Sequence, residues 1–327
     1  MTLRVGLVGA GAMGRNHARV LSTLDGVDLV GIADPLLDGS LFGAAVVKNA
    51  EALIATGIDY AVVACPTELH ELVGLLFADA GVHALIEKPL AADVPGAERL
   101  TRAFEDKNLI GGVGHIERYN PAVQGLRSRL ANGDLGDIYQ VLTRRQGPFP
   151  GRIADVGVVK DLAPHDIDLT AWVTGESYTS VTAHTIIKSG RPFEDMVSAI
   201  ALLSGGTMAN HVVNWLSPFK ERSTVVIGER GCFVADTLTG DLTFFANGQI
   251  TNEWEAMRSF RGVSEGDSTK FAMARREPLL VEHENFRDAV LGVGNDIVTF
   301  EQGLQTVRVA AAMLDSAAAG ASVEIGP

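Results

Sequence analysis

The chain has 327 residues, 46% apolar and 20% charged, a length and composition that exclude wholesale disorder and point to two domains. Its 27 Lys and Arg against 40 Asp and Glu give a formal charge of −13 with no basic block, so neither a nucleic-acid nor a membrane partner is expected. Two cysteines, Cys65 and Cys232, are too few for a disulfide framework or a four-thiolate zinc site, and Asp79 and His83 break the best apolar stretch, 72–86, short of the roughly 18 residues of a membrane span.

The first residues carry no basic segment and no small-residue cleavage site, and read as the opening strand of a cytoplasmic protein. Apolar runs at 4–8, 27–33, 60–65, 83–86 and 109–113 alternate with helical patterns at 13–24, 67–80 and 94–107. Continuous apolar strands separated by helices of this length predict an α/β unit, a doubly wound parallel sheet of the Rossmann type. Residues 35–45 are short for both a crossover and a turn, so a stunted helix is expected there. After a helix over 121–130 the period becomes strand-like at 138–145, 180–187, 197–203, 208–215, 224–228 and 243–246, with turns at 204–206, 228–231 and 247–248. That pattern predicts a C-terminal α+β domain with an open, mainly antiparallel sheet. Helices over 279–291 and 300–319 close the chain. The expected domains are 1–119 and 120–327, with the last helices free to pack back on the first domain.

Gly9-Ala10-Gly11-Ala12-Met13-Gly14 follows the first strand and opens the first helix. The first glycine allows a tight turn, the second lets backbone approach a pyrophosphate, and the third lets helix pack on strand. The helix N-terminus adds unpaired N–H groups and a positive dipole end. Asp34 closes the second strand 20 residues after Gly14. A carboxylate there accepts from a ribose 2′-OH and repels a 2′-phosphate, so NAD is expected rather than NADP; the alternative is that Asp34 only caps a helix.

Glu87-Lys88-Pro89 ends a strand at the carboxyl edge, where open α/β sheets bind ligands. Lys88 reads as a partly desolvated amine near the expected nicotinamide site, or as a plain surface lysine. The second concentration is Asp161-Leu162-Ala163-Pro164-His165-Asp166-Ile167-Asp168. Pro164 disfavours helix at Ala163, so a helix starting at Pro164 is expected, with His165 in its first turn and Asp161 on the loop before it. His165 and Asp168 share a face at i,i+3. A histidine suits proton abstraction from a hydroxyl, with Asp161 orienting it or binding substrate; alternatively Asp161 caps the helix and His165 is a buried core residue. No metal motif is recognised, and no metal is expected. Cys65, Pro66, Thr67 and His70 line a cofactor groove or merely begin a helix, Cys65 reading as a small buried residue rather than a nucleophile. His17 reads as a packing residue of the first helix. Residues 115–120, with Arg118, Tyr119 and Asn120, form a polar loop that suits a substrate. Arg144, Arg145 and Arg152 flank the Pro/Gly-rich stretch 147–151 and suit an anionic ligand, unless they are ordinary solvated arginines.

With the Gly turn, Asp34, Glu87-Lys88-Pro89 and Asp161-x-x-x-His165 in this order, the chain resembles the Gfo/Idh/MocA family (glucose–fructose oxidoreductase, inositol dehydrogenase, rhizopine catabolism) over essentially its whole length. The resemblance implies an NAD-dependent oxidoreductase that moves hydride from the carbon of a sugar secondary hydroxyl to nicotinamide, with Lys88, Asp161 and His165 at the catalytic centre. The cofactor would be held by Gly9, Gly11, Ala12, Met13, Gly14, Asp34, Cys65, Pro66, Thr67, His70, Glu87 and Lys88. The substrate would meet Arg118, Tyr119, Asn120, Arg145, Asp161 and His165. A homodimer or homotetramer built through the C-terminal sheet is also implied.

Within the family, residues 113–123, 144–150 and 155–168 are similar to segments of UDP-N-acetylglucosamine 3-dehydrogenases. The expected substrate is therefore a UDP-linked N-acetylhexosamine oxidised at C3, its diphosphate facing Arg118 and the arginines of 144–152. The shortened 35–45 segment and Lys160 depart from the family's usual pattern. A free polyol such as myo-inositol is the enzymatic alternative. A redox-neutral glycosidase with tightly held NAD, or a non-catalytic NAD-binding regulator, would be alternatives of a different class.

Overall fold

The computed structural model describes residues 2–151, 156–248 and 264–326. Its contacts divide the chain into two units, Met1–Ile116 with Arg276–Ala311, and Glu117–Arg275 with Ala312–Pro327. The expected Rossmann-type sheet lies in the first and the mainly antiparallel sheet in the second.

The first unit begins with β1 (Leu3–Val8), α1 (Ala12–Leu21), β2 (Val27–Ala33), β3 (Ser40–Leu41), β4 (Ala44–Val47), α2 (Ala50–Ile54) and β5 (Tyr60–Val63). It continues through α3 (His70–Asp79), β6 (His83–Glu87), α4 (Val94–Asp106) and β7 (Gly111–Gly114). The sheet order is β3-β4-β2-β1-β5-β6-β7, parallel throughout except for the β3–β4 pair. Every residue of β5 is buried, as expected for a strand covered on both faces. Asp93 caps α4 by accepting from Gly96 N at 2.8 Å, with Pro95 in the first turn.

Residues 35–45 depart from expectation. They hold the tight β3–β4 hairpin instead of a stunted helix, and its two turn residues, Phe42 (φ 50°) and Gly43 (φ 83°), both have positive φ. Positive φ at both central positions is the geometry that matches the twist of paired strands. The short helix comes later, as α2, capped by Asn49.

The second unit contains α5 (Pro121–Ala131), β8 (Ile138–Pro148), α6 (Val158–Asp161), α7 (Ala163–Thr174) and β9 (Tyr178–Ile186). Then follow β10 (Met196–Leu203), β11 (Met208–Asn214), β12 (Leu216–Gly228), β13 (Gly231–Asp236), β14 (Asp241–Gly248) and β15 (Ser264–Phe271). The sheet order is β15-β14-β13-β12-β8-β11-β10-β9 with a short edge strand at 323–324; β8 and β11 run parallel and the other pairs antiparallel. Leu126 of α5 and Leu169 and Val173 of α7 share a core with Val141, Val226 and Phe233 of the strands. On β10 burial alternates, so Ile200 and Leu202 stand exposed at 51% and 47% on the other face.

The chain closes with α8 (Pro278–Val290) and α9 (Phe300–Ala319). Phe286 of α8 is fully buried in the first unit, with Tyr60 at a ring separation of 5.2 Å. Gly112 makes room for it, since a Cβ there would lie 2.8 Å from the Phe286 ring. Phe300 and Leu304 of α9 join Leu90, Leu100 and Val113 in the same unit's second core. Among the described residues no helix is long and apolar enough to cross a membrane. Phe286→Ala is expected to destabilise the first unit by about 3–5 kcal/mol, measured by urea unfolding. A loss well below 1 kcal/mol would mean that 276–311 contributes little to that core.

Candidate active site

In the first unit the parallel register of β2, β1, β5 and β6 brings four strand ends to one edge. The strand order reverses between β1 and β5, the kind of place where such sheets open a crevice for ligands. Gly9 has φ 88°, and a Cβ on it would lie 2.7 Å from the Ala64 carbonyl oxygen. A Cβ on Gly14 would lie 2.0 Å from the Gly9 carbonyl oxygen, so only glycine lets the helix seat against the turn. Gly11, the N-cap of α1, is the opposite case: nothing lies within 4 Å of where its Cβ would point, and no side chain caps the helix. The turn therefore offers open space beside the N–H groups of a helix start. Asp34 Oδ2 accepts from Ala10 N at 2.8 Å and Oδ1 from Leu36 N at 2.9 Å, fixing the carboxylate beside this turn. These residues fit a dinucleotide with an unphosphorylated ribose.

At the end of β5, Thr67 begins a short 3-10 turn and Cys65 is half-buried, its thiol pushed up to about 11 by burial. His70 is 1% exposed, with Nδ1 2.9 Å from the Pro89 carbonyl oxygen and Nε2 3.0 Å from that of Cys65. A neutral ring donates to one of these carbonyls and packs against the other, so it lies between the two strand ends. Glu87 and the half-buried Lys88 stand at the end of β6, where Glu87 Oε2 accepts the Lys88 N–H at 3.1 Å. Glu87 Oε1 lies 2.9 Å from Nε2 of the fully buried His17. Burial alone would raise the Glu87 carboxyl; the His17 ring and Lys88 overcome it and hold the group below the usual carboxylate range. His17, expected only to pack, is a polar partner of the strand end.

In the second unit Asp161 ends the short helix α6 instead of lying on a loop, and α7 begins at Ala163, one residue early. The α7 N-cap is Leu162, with no side-chain cap, so Asp161 does not cap this helix. Across 163–170 every residue is buried except His165, which is half-buried. Asp168 does not accompany it outward. Its carboxylate takes Nε and Nη2 of Arg118 at 2.8 and 2.6 Å.

Arg145 is likewise engaged inside the unit. Nε meets Asp166 Oδ1 at 2.8 Å and Nη1 meets Glu117 Oε1 at 2.9 Å, with the residue 3% exposed. Burial works against the guanidinium charge, and Asp166 and Glu117 overcome it, so Arg145 holds its proton more firmly than usual. The two carboxylates differ. Burial would raise both, but Glu117, which also meets Arg222, lies below its ordinary range, whereas Asp166, buried beside the Glu117 charge, lies above. Asn120 caps α5 through Ala122 N and donates to the Thr237 carbonyl, while Tyr119 is 5% exposed. Of the other candidate arginines, Arg144 has a side chain 65% exposed, and Arg152 lies outside the described residues, as does Asp155. Among the described residues no group of three or more His, Cys, Asp or Glu side chains is placed to hold a metal ion.

Residues 3–115 match the NAD-binding Rossmann-fold domain of the Gfo/Idh/MocA oxidoreductase family, and residues 123–234 match a Gfo/Idh/MocA C-terminal domain. The chain belongs to the Gfo/Idh/MocA family. It is similar to UDP-N-acetylglucosamine 3-dehydrogenase of Acidithiobacillus ferrooxidans, 28% identical over 88% of both chains. A solved structure of that enzyme superimposes with a TM-score of 0.86 over 98% of each chain, at 26% identity. Myo-inositol dehydrogenase Hyg17 of Streptomyces leeuwenhoekii is 31% identical over 70% of this chain and 75% of its own. GenD2 from gentamicin A biosynthesis, solved in complex with NAD, gives a TM-score of 0.82 at 25% identity, over 100% of this chain and 97% of its own. As a Gfo/Idh/MocA oxidoreductase, the protein uses NAD, consistent with the open Gly turn and the fixed Asp34.

Arg145→Ala leaves Asp166 and Glu117 buried without their shared cation, and should cost about 3–5 kcal/mol of stability. Urea unfolding checks this. An Arg145→Ala protein of unchanged stability that fails to bind substrate would return Arg145 to a ligand role.

Proposed function

We propose that the protein oxidises a secondary hydroxyl of a sugar or sugar nucleotide, with C3 of UDP-N-acetylglucosamine as the favoured position. The observation that carries this reading is His165: the one residue in 163–170 that is not fully buried, four residues after Asp161, in a family that binds NAD. Bound NAD supplies the acceptor for two electrons and the hydrogen leaving carbon. Residues of the Gly turn and Asp34 hold it. His165 removes the hydroxyl proton at a ring nitrogen, Asp161 orients the imidazole or a neighbouring hydroxyl, and Lys88 stabilises the developing alkoxide or relays the proton. The buried pairs Arg118–Asp168 and Arg145–Asp166 anchor the helix from which His165 projects. Full-length likeness to the Acidithiobacillus enzyme supports the sugar-nucleotide substrate.

The internal pairing of Arg118 and Arg145 favours a second reading. It removes from a diphosphate two of the arginines expected to meet it, and a free polyol such as myo-inositol needs neither. Purified protein mixed with NAD and each compound in turn, followed at the reduced-nicotinamide absorbance band, separates the two. With the active compound, His165→Asn should lower kcat by about 10²–10⁴-fold, and Lys88→Met should also lower it substantially. Near-wild-type turnover in His165→Asn would remove the assigned base, and glycoside cleavage without reduced NAD would replace the dehydrogenase reading altogether.

We infer also that the exposed sheet face pairs with a second copy of the chain. Ile200 and Leu202 on β10 and Met208, opposite Leu202 on β11, are 51%, 47% and 41% exposed. Ile200→Lys combined with Leu202→Lys should shift a dimer or tetramer to monomer in size-exclusion chromatography with light scattering. An unchanged mass would move the interface elsewhere.

A further inference from the structure

The first unit buries a chain of polar groups behind Lys88 that the reaction above does not use. Glu87 holds the Lys88 N–H with one oxygen and faces His17 with the other. His17 Nδ1 in turn lies 2.9 Å from Nε2 of His283 on α8, the two rings edge-to-face with centroids 5.0 Å apart. Both imidazoles are fully buried, while the Glu87 side chain is 13% exposed. Beside His283, Glu282 is 1% exposed, and among the described residues neither of its carboxyl oxygens has a hydrogen-bond partner. Three elements meet here: the helix that follows the Gly turn, the strand that ends at Lys88, and a helix from the far end of the chain.

Hydrogen-bond roles constrain the proton positions. A carboxylate only accepts, so His17 Nε2–H donates to Glu87. The His17–His283 bond is then satisfied in either sense. His283 donates to a neutral His17, or a cationic His17 donates to His283. Glu87 keeps its donor in both cases. The titratable groups facing Glu87 are His17 on α1, His70 on α3, the adjacent Lys88, and Glu282 on α8. Burial, with the Glu87 charge second, raises Glu282 well above the usual carboxylate range, which favours its neutral form. Burial, with His17 second, lowers His283 well below the usual imidazole range, so it is a neutral ring. The cluster thus concentrates its negative charge on one carboxylate, the one attached to Lys88.

We propose that His17 is a positioning residue for Lys88, holding the Glu87 carboxylate fixed and charged so that it fixes the Lys88 peptide and gives the lysine an anionic neighbour. The functional importance of this arrangement rests on the proposed catalytic role of Lys88; its geometry does not.

Two substitutions at one position separate the contacts. In His17→Asn the amide takes the place of Nδ1, reaching His283 but not Glu87. In His17→Gln it takes the place of Nε2, reaching Glu87 but not His283. Lys88 is labelled in the purified full-length protein by formaldehyde and cyanoborohydride, and its rate is compared with those of the other lysines by peptide mass spectrometry. His17→Asn deprives Glu87 of its imidazole donor, leaving it the Lys88 N–H alone, and favours its protonation. Lys88 then loses its anionic neighbour and should be labelled at least about threefold faster, the other lysines being unchanged. His17→Gln should restore the wild-type rate. With whichever of UDP-N-acetylglucosamine or myo-inositol is turned over, His17→Asn should lower kcat by about 10–100-fold with little change in the KM for NAD.

Wild-type Lys88 labelling in folded His17→Asn protein, or failure of His17→Gln to restore it at an unchanged Tm, overturns the proposal. If Lys88→Met retains turnover, the catalytic reading of Lys88 fails instead, and the labelling result still decides whether His17 governs the lysine.

Discussion

Glu87 remains ionised at 13% side-chain exposure because His17 Nε2 and the Lys88 N–H face its two oxygens. A charge removed from water is tolerable only with partners, and removing one partner leaves the other group to change its protonation or destabilise the fold. That constraint governs both units. In the second, two carboxylates enter the interior on α7, and each is met by a guanidinium, Arg145 for Asp166 and Arg118 for Asp168. The helix cannot rotate or slide without breaking a buried pair. His165, in its first turn, inherits that rigidity while keeping its own exposure. A side chain carried on a helix held in this way has fewer orientations open to it, and the pairs that hold the helix are buried from solvent.

Much of this was legible in sequence where the signal is local. The Gly turn and Asp34 are specified by spacing within one βαβ unit, and the structure places Gly9, Gly14 and Asp34 where that spacing requires. The strand 27–33 and the helix 300–319 are strongly patterned and appear at the expected limits. The β3–β4 hairpin escaped because a Phe-Gly turn is an unusual way to supply two positive-φ residues, and strands of two and four residues carry too little periodicity to register. Strand β13 follows directly on the turn at 228–231 and is not among the expected strands, although Cys232 to Asp236 alternate between half-buried and buried side chains.

Charge pairing was the part that sequence could not supply. Arg145 and Asp166 are 21 residues apart, Arg118 and Asp168 are 50 apart, and His17 and His283 are 266 apart. No periodicity links such residues, and an arginine beside a Pro/Gly-rich stretch looks the same whether it awaits a phosphate or already holds a carboxylate. The structure favours the second: in an acidic chain, carboxylates are the commonest ligands an arginine finds.

This bears on how reaction and substrate are encoded. Drawing Arg145 onto a diphosphate would strand Asp166 in the interior and leave Glu117 with Arg222 alone, a penalty of several kcal/mol that a substrate would have to offset before showing any net affinity. On the sugar-nucleotide reading, recognition of a phosphate would fall to groups outside the buried pairs, such as Arg144, whose side chain is 65% exposed and 3.7 Å from Glu221. Such groups can be exchanged at little cost to the fold, because solvent already screens them. The supports behind Lys88 and His165 cannot. Relatives at 28% and 31% identity are a UDP-N-acetylglucosamine 3-dehydrogenase and a myo-inositol dehydrogenase, so resemblance at this level carries the oxidation of a hydroxyl further than it carries the sugar.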